Sequence, residues 1–96
     1  MNGIRFSWDQ AKILANVRNH GITFEEGTTV FGDENARLRY DPDHSQDEDR
    51  FILLGMSAKV RLLVVVHSHR ESEEIVRIIS TRKATKSEQK QYGSHL

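Results

Sequence analysis

Two apolar runs decide the fold: Arg50-Phe51-Ile52-Leu53-Leu54-Gly55-Met56-Ser57 and Arg61-Leu62-Leu63-Val64-Val65-Val66-His67-Ser68-His69. Each has the length and residue types of a strand, and only Ala58-Lys59-Val60 separates them. So short a turn makes the pair an antiparallel hairpin. Downstream, Glu74 to Lys83 is rich in the β-branched residues that suit a pleated surface and reads as the next strand. Upstream, Arg37 to Asp41 is a shorter candidate, and Gly3 to Ser7 a short edge strand. Pro42, the one proline, stands in Asp41-Pro42-Asp43-His44-Ser45, whose composition marks a loop.

Helix starts flank these strands. Ser7 and Gln10 have capping-box spacing and predict a helix from Trp8 to about His20. Gly21, which adopts the left-handed conformation readily, ends it. Thr23 and Glu26 open a second helix that runs to Val30 or Phe31. Thr85 and Glu88 open a third that reaches Tyr92 or Gly93. The expected order is β-α-α-β-β-β-β-α. This is an α+β chain, one domain over residues 1–96, with an antiparallel sheet, helices on one face and the other face open to a ligand.

The chain has 96 residues and no cysteine. Disulfides and thiolate zinc sites are excluded, and a reducing compartment is expected. The first residues lack the pattern of a signal peptide, and no apolar run approaches a membrane span, so a cytoplasmic protein is expected. Net charge is zero, but the charges are segregated. Residues 1–24 carry three basic and one acidic residue, 25–58 three basic and nine acidic, and 59–96 eight basic and four acidic. Such a chain can present a basic cleft beside an acidic rim.

Several residues carry candidate chemistry. Lys12, Asn16 and His20 are spaced four apart and form one slanting helical stripe that suits a phosphate or a proton transfer; a solvated polar face is the plain alternative. His67 and His69 share a strand face, but no third ligand stands at fixed spacing, so a metal site is not expected. Arg77 and Arg82 fall on opposite faces of a regular strand, and a bulge would change that. Arg50 follows Asp47-Glu48-Asp49 and has those acids as candidate partners. A phosphate-binding Gly-rich loop, a nucleophile elbow and a DNA-reading motif are all missing.

Taken together, these residues resemble the BrnT toxins. Trp8-Asp9, Lys12, Asn16, His20-Gly21-Ile22 and Phe24-Glu25-Glu26 match the family's N-terminal signature, and Val30-Phe31 and Asp33 continue it. Glu48-x-Arg50 matches the middle. Ile75-x-Arg77-Ile78-Ile79-Ser80-x-Arg82-Lys83-Ala84-Thr85, then Glu88 and Tyr92, matches the end. The chain departs from the pattern at Asn19, where a basic residue is usual, and at Gly27 and Thr81, where alanine is usual. The resemblance implies a RelE-like fold and a ribonuclease that arrests translation without metal or other cofactor. It also implies a BrnA-like antitoxin that carries the DNA-binding domain, so that the pair reaches its operator DNA through the antitoxin.

Residue chemistry then assigns roles. Arg50, Arg70 and Arg82 stabilise charge on the phosphorane, because a guanidinium stays charged and matches phosphate oxygens. His20 is the first candidate for proton transfer and His67 the second. Lys12, Asn16, His67, Arg77, Lys83 and Tyr92 bind RNA, Tyr92 by stacking or by positioning a phosphate. The antitoxin is expected to cover the basic face in an assembly with two copies of each chain. Two other classes stay open: a catalytically inactive homologue that serves its antitoxin as a co-repressor, and a hydrolase with a metal on His67 and His69.

Overall fold

A computed structural model describes residues 4–46, 48–70 and 74–93, Arg70 through its backbone alone. The strands are β1 (Arg5–Ser7), β2 (Arg37–Tyr40), β3 (Arg50–Met56), β4 (Leu62–Arg70) and β5 (Ile75–Lys83). The helices are α1 (Ile13–His20) and α2 (Phe24–Thr29), between β1 and β2, and α3 (Lys86–Gly93) after β5. Short 3-10 turns occupy Gln10–Lys12, Val30–Gly32 and Pro42–His44.

The sheet runs β1-β5-β4-β3-β2. Strands β2 to β5 form the expected antiparallel meander, but β1 pairs parallel to β5, Phe6 opposite Val76. The sheet is therefore mixed. Short turns specify only neighbours in sequence, and β1 reaches its partner across the whole chain.

The helices also lie on both faces. Ile22, Phe24 and Val30 pack with Leu53, Leu63, Val65 and Ile78 on one side. On the other side Tyr92 of α3 packs on Leu54 and Val64, with Ile52, Met56, Leu62 and Ala84 around them. The physical reason stands in the sequence. The β3 and β4 runs are continuously apolar rather than alternating, which is the signature of strands covered on both faces.

Local chemistry fixes the helix ends. Gly21 takes φ 72° and its N–H bonds Val17 O at 2.7 Å, closing α1. Thr23 Oγ1 accepts from Glu26 N at 3.0 Å. At α3 the box is reciprocal: Glu88 N donates to Thr85 Oγ1 at 3.2 Å and Thr85 N donates to Glu88 Oε1 at 2.8 Å. The first box differs from expectation. Ser7 stays in β1, and Asp9 caps a 3-10 turn by accepting from Ala11 N at 2.9 Å. The α-helix proper begins at Ile13.

One irregularity positions the site. Val66 pairs with Ser80 but His67 pairs with Ile78, which leaves Ile79 as an extra residue in β5. The bulge turns Arg77 to the α3 face, the face that carries Arg82.

Candidate active site

The α3 face of the sheet carries a row of three polar residues in direct cross-strand register: Arg50 on β3, Ser68 on β4 and Arg77 on β5. They floor a cleft of about 750 Å³ whose other walls are Asp43, His44, Gln46, Glu48 and His69. The loop after β2 forms one wall because Ser45 ties it down: its Oγ donates to Asp41 O and accepts from Arg50 N at 2.9 Å.

Three buried polar atoms in this row have no hydrogen-bond partner among the described residues: Arg50 Nε, Ser68 Oγ and Arg77 Nε. Leaving a buried donor unsatisfied costs about 1–3 kcal/mol. Three such atoms in one register row, two of them on guanidinium groups, form a preorganised receptor for an anion. Arg77 is held in place by an ion pair with Glu48. The acids before Arg50 are thus spent elsewhere: Glu48 on Arg77, and Asp49 on the Tyr40 hydroxyl at 3.2 Å. Asp47 lies outside the described residues.

One histidine stands beside this row and a second at the edge of the strand. His44 is exposed, and its Nδ1 lies 2.9 Å from Asp41 Oδ2. That contact orients the ring and leaves Nε2 free for proton transfer. His69 is exposed at the edge of the cleft, and alternation along β4 puts its side chain on the His67 face, where it lines a second cavity with Phe31 and Val76. Among the described residues no three His, Cys, Asp or Glu side chains come together in a group that could hold a metal ion.

The residues singled out from the sequence are dispersed. Arg50 and Arg77 come together. Arg70 ends β4 beside them, but its side chain lies outside the described residues. Arg82 stands in the Leu54–Val64 row, four residues along and two strands across from Arg50, about 16 Å away. It is committed to Glu88 through two bonds of 2.8 and 2.9 Å. That pairing draws the Glu88 carboxyl down to about 2 and raises Arg82.

Lys12 and His20 line a separate shallow groove beside Ile79 and Ser80. The stripe between them is broken, because Asn16 is buried and its amide is used up. Its Nδ2 donates to Ile22 O at 2.8 Å and Thr81 Oγ1 at 2.7 Å, and its Oδ1 accepts from Thr81 N at 3.2 Å. Asn16 is a staple between α1 and β5, not an RNA contact.

Tyr92 is likewise corrected: it is buried, its hydroxyl donates to Asp33 Oδ2 at 2.7 Å, and it offers no face for stacking. His67 is buried on the face opposite the cleft between Phe31 and Phe51, where burial lowers its pKa and keeps it neutral. Lys83 is exposed six residues along β5 from Arg77. Sequence reading missed His44, Ser68 and Glu48 and set His69 aside. Only the pairing register brings them to one place, although the alternation in β4 already put Ser68 on the face opposite His67.

The comparisons with known proteins meet this geometry. Residues 8–88 match the family model described as the ribonuclease toxin BrnT of type II toxin–antitoxin systems. The chain belongs to the BrnT family. A search of curated proteins returns no match. Among solved structures the chain is similar in fold to the Brucella abortus ribonuclease toxin BrnT, with a TM-score of 0.62 and 19% identity. The likeness covers 86% of this chain and 99% of that one. As a member of the BrnT family it is a type II ribonuclease toxin, and such a toxin pairs with an antitoxin. A Cβ built on Gly27 would stand 2.3 Å from Thr81 Cγ2, so glycine at 27 and threonine at 81 fit one another.

Proposed function

We propose that this BrnT-family protein is a metal-independent endoribonuclease that cuts RNA in the cleft floored by Arg50, Ser68 and Arg77. The observation that carries the reading is the row of three polar atoms with no partner among the described residues, beside exposed His44. The scissile phosphate sits on the two guanidinium groups and the Ser68 hydroxyl, where growing charge on the phosphorane meets fixed donors. His44, its ring oriented by Asp41, takes the proton of the ribose 2′-hydroxyl, and the 2′-oxygen attacks phosphorus. The bond to the 5′-oxygen breaks, and that leaving oxygen takes its proton from water. The products are a 2′,3′-cyclic phosphate and a 5′-hydroxyl. Arg70, in the last position of β4, is proposed as a further phosphate ligand. Lys12 and His20 serve at most a distant stretch of RNA.

In the cell, cleavage arrests translation in the cytoplasm, and a BrnA-like antitoxin neutralises the toxin by covering the arginine cleft. The assembly has two copies of each chain and reaches operator DNA through the antitoxin. The enzymatic reading is tested by incubating the purified protein with RNA in excess chelator and analysing the new ends. Cyclic phosphate ends formed in chelator, and lost in Arg50→Gln, are the expected result. A chelator-sensitive reaction, or full activity in Arg50→Gln, would overturn it. One arginine on a phosphorane contributes several kcal/mol, so a loss of at least about a hundredfold is expected.

A further inference from the structure

Arg37, Arg39, Arg50, Arg77 and Arg82 stand on the α3 face of the sheet, and their partners sort them. Arg77 is paired with Glu48, Arg82 with Glu88, and Arg37 donates to Gln91 O. Arg39 has no partner among the described residues, and Arg50 has none on its Nε. These two are diagonal neighbours. Arg39 pairs with Ile52, two residues along β3 from Arg50, which puts their Cα atoms about 8 Å apart. Ile52 stands next to Arg39 in its row, with Val66 its partner on β4, and both are half-buried, so the floor beside the two guanidinium groups is apolar. Arg39 and Ile52 also wall a smaller groove of about 190 Å³ against α3, on the same face as the cleft.

We infer that Arg39 is a second phosphate subsite, one nucleotide away from the cleft, and that the substrate is a single strand laid across this face. One phosphate rests on Arg50 and Arg77, the adjacent phosphate on Arg39, and the nucleoside between them lies against Ile52. A flat apolar strip flanked by cations takes an unstacked base and ribose. A duplex keeps its bases stacked inside and offers this strip nothing. The inference rests on the phosphate-cleft reading above, and the two can fail separately.

The probe is a 2′-O-methyl hexanucleotide, which cannot be cut, in single-stranded and in duplex form. Anisotropy binding is measured over a range of salt for wild type, Arg39→Gln and Arg39→Lys. Arg39 is exposed, so neither change touches the core. Arg39→Gln should bind the single strand about tenfold more weakly. The slope of log affinity against log salt should fall by about 0.7, the loss of one phosphate contact on a single strand. Arg39→Lys should keep the slope, and the duplex should bind wild type more weakly than the strand does.

An unchanged slope in Arg39→Gln, or a duplex that binds as well as the strand, would overturn the subsite. The parent reading has its own control: inorganic phosphate titrated into wild type should shift the Arg50, Ser68 and Arg77 resonances. Phosphate that fails to do so would overturn the cleft and the subsite with it. Phosphate that binds while the slope stays unchanged would overturn the subsite alone.

Discussion

Gly27 and Thr81 share one space between α2 and β5. The γ-methyl of Thr81 lies where a β-carbon at residue 27 would stand, 2.3 Å from it. Thr81 cannot easily rotate away, because its hydroxyl accepts from Asn16 Nδ2 at 2.7 Å. Gly27→Ala should therefore destabilise by about 1–3 kcal/mol through overpacking, despite alanine's better helix propensity. Gly27→Ala combined with Thr81→Ala should be less destabilised than the two single changes summed, since each relieves the other. Urea denaturation of the four proteins measures this coupling, and strict additivity would refute it. From sequence alone Gly27 reads as a weakness of the second helix. The contact that makes it necessary spans more than fifty residues, and no local pattern reports it.

At the scale of the element, α3 is held by one carboxylate with two tasks. Glu88 caps the helix through Thr85 N and grips the Arg82 guanidinium with both oxygens. The Arg82 pairing, together with the Thr85 bonds, holds its carboxyl near 2, well below the ordinary 4.5. A lowered folded value means that the unfolded chain takes the proton first. The stabilisation is complete above about 4.5 and is lost as pH falls towards 2. Glu88→Gln should cost about 1 kcal/mol at neutral pH, with the gap to wild type closing between those values. Denaturant midpoints at pH 7 and pH 3 test it, and a gap that stays constant with pH would contradict it. The capping box itself is legible in Thr85 and Glu88. The link to Arg82 is not, because it depends on the turn at Ala84 that folds α3 back over the sheet.

At the scale of the whole molecule, pairing between strands gathers arginines from the acidic middle and the basic end of the sequence onto one face. Strands β3, β4 and β5 were readable from their apolar runs, their short turns and their β-branched residues. Their placement was less so: the far edge taken by β1, the covering of both faces and the bulge at Ile79 come from pairing at a distance. That bulge puts Arg77 in the cleft with Arg50, where a regular strand would have turned it away. The histidines show the same limit. His20 stood out on a helical stripe, but the structure leaves it in another groove, while His44, read as part of a loop, lies on the cleft wall.

The central claim is that the cleft, and not the α1 stripe, moves the protons. The direct measurement is the single-turnover cleavage rate of one RNA by His44→Ala and His20→Ala, each shown to be folded. The account predicts a fall of about a hundredfold or more in His44→Ala, with substrate binding largely kept, and a change within about twofold in His20→Ala. A His20→Ala protein that loses cleavage while His44→Ala retains it would contradict the account.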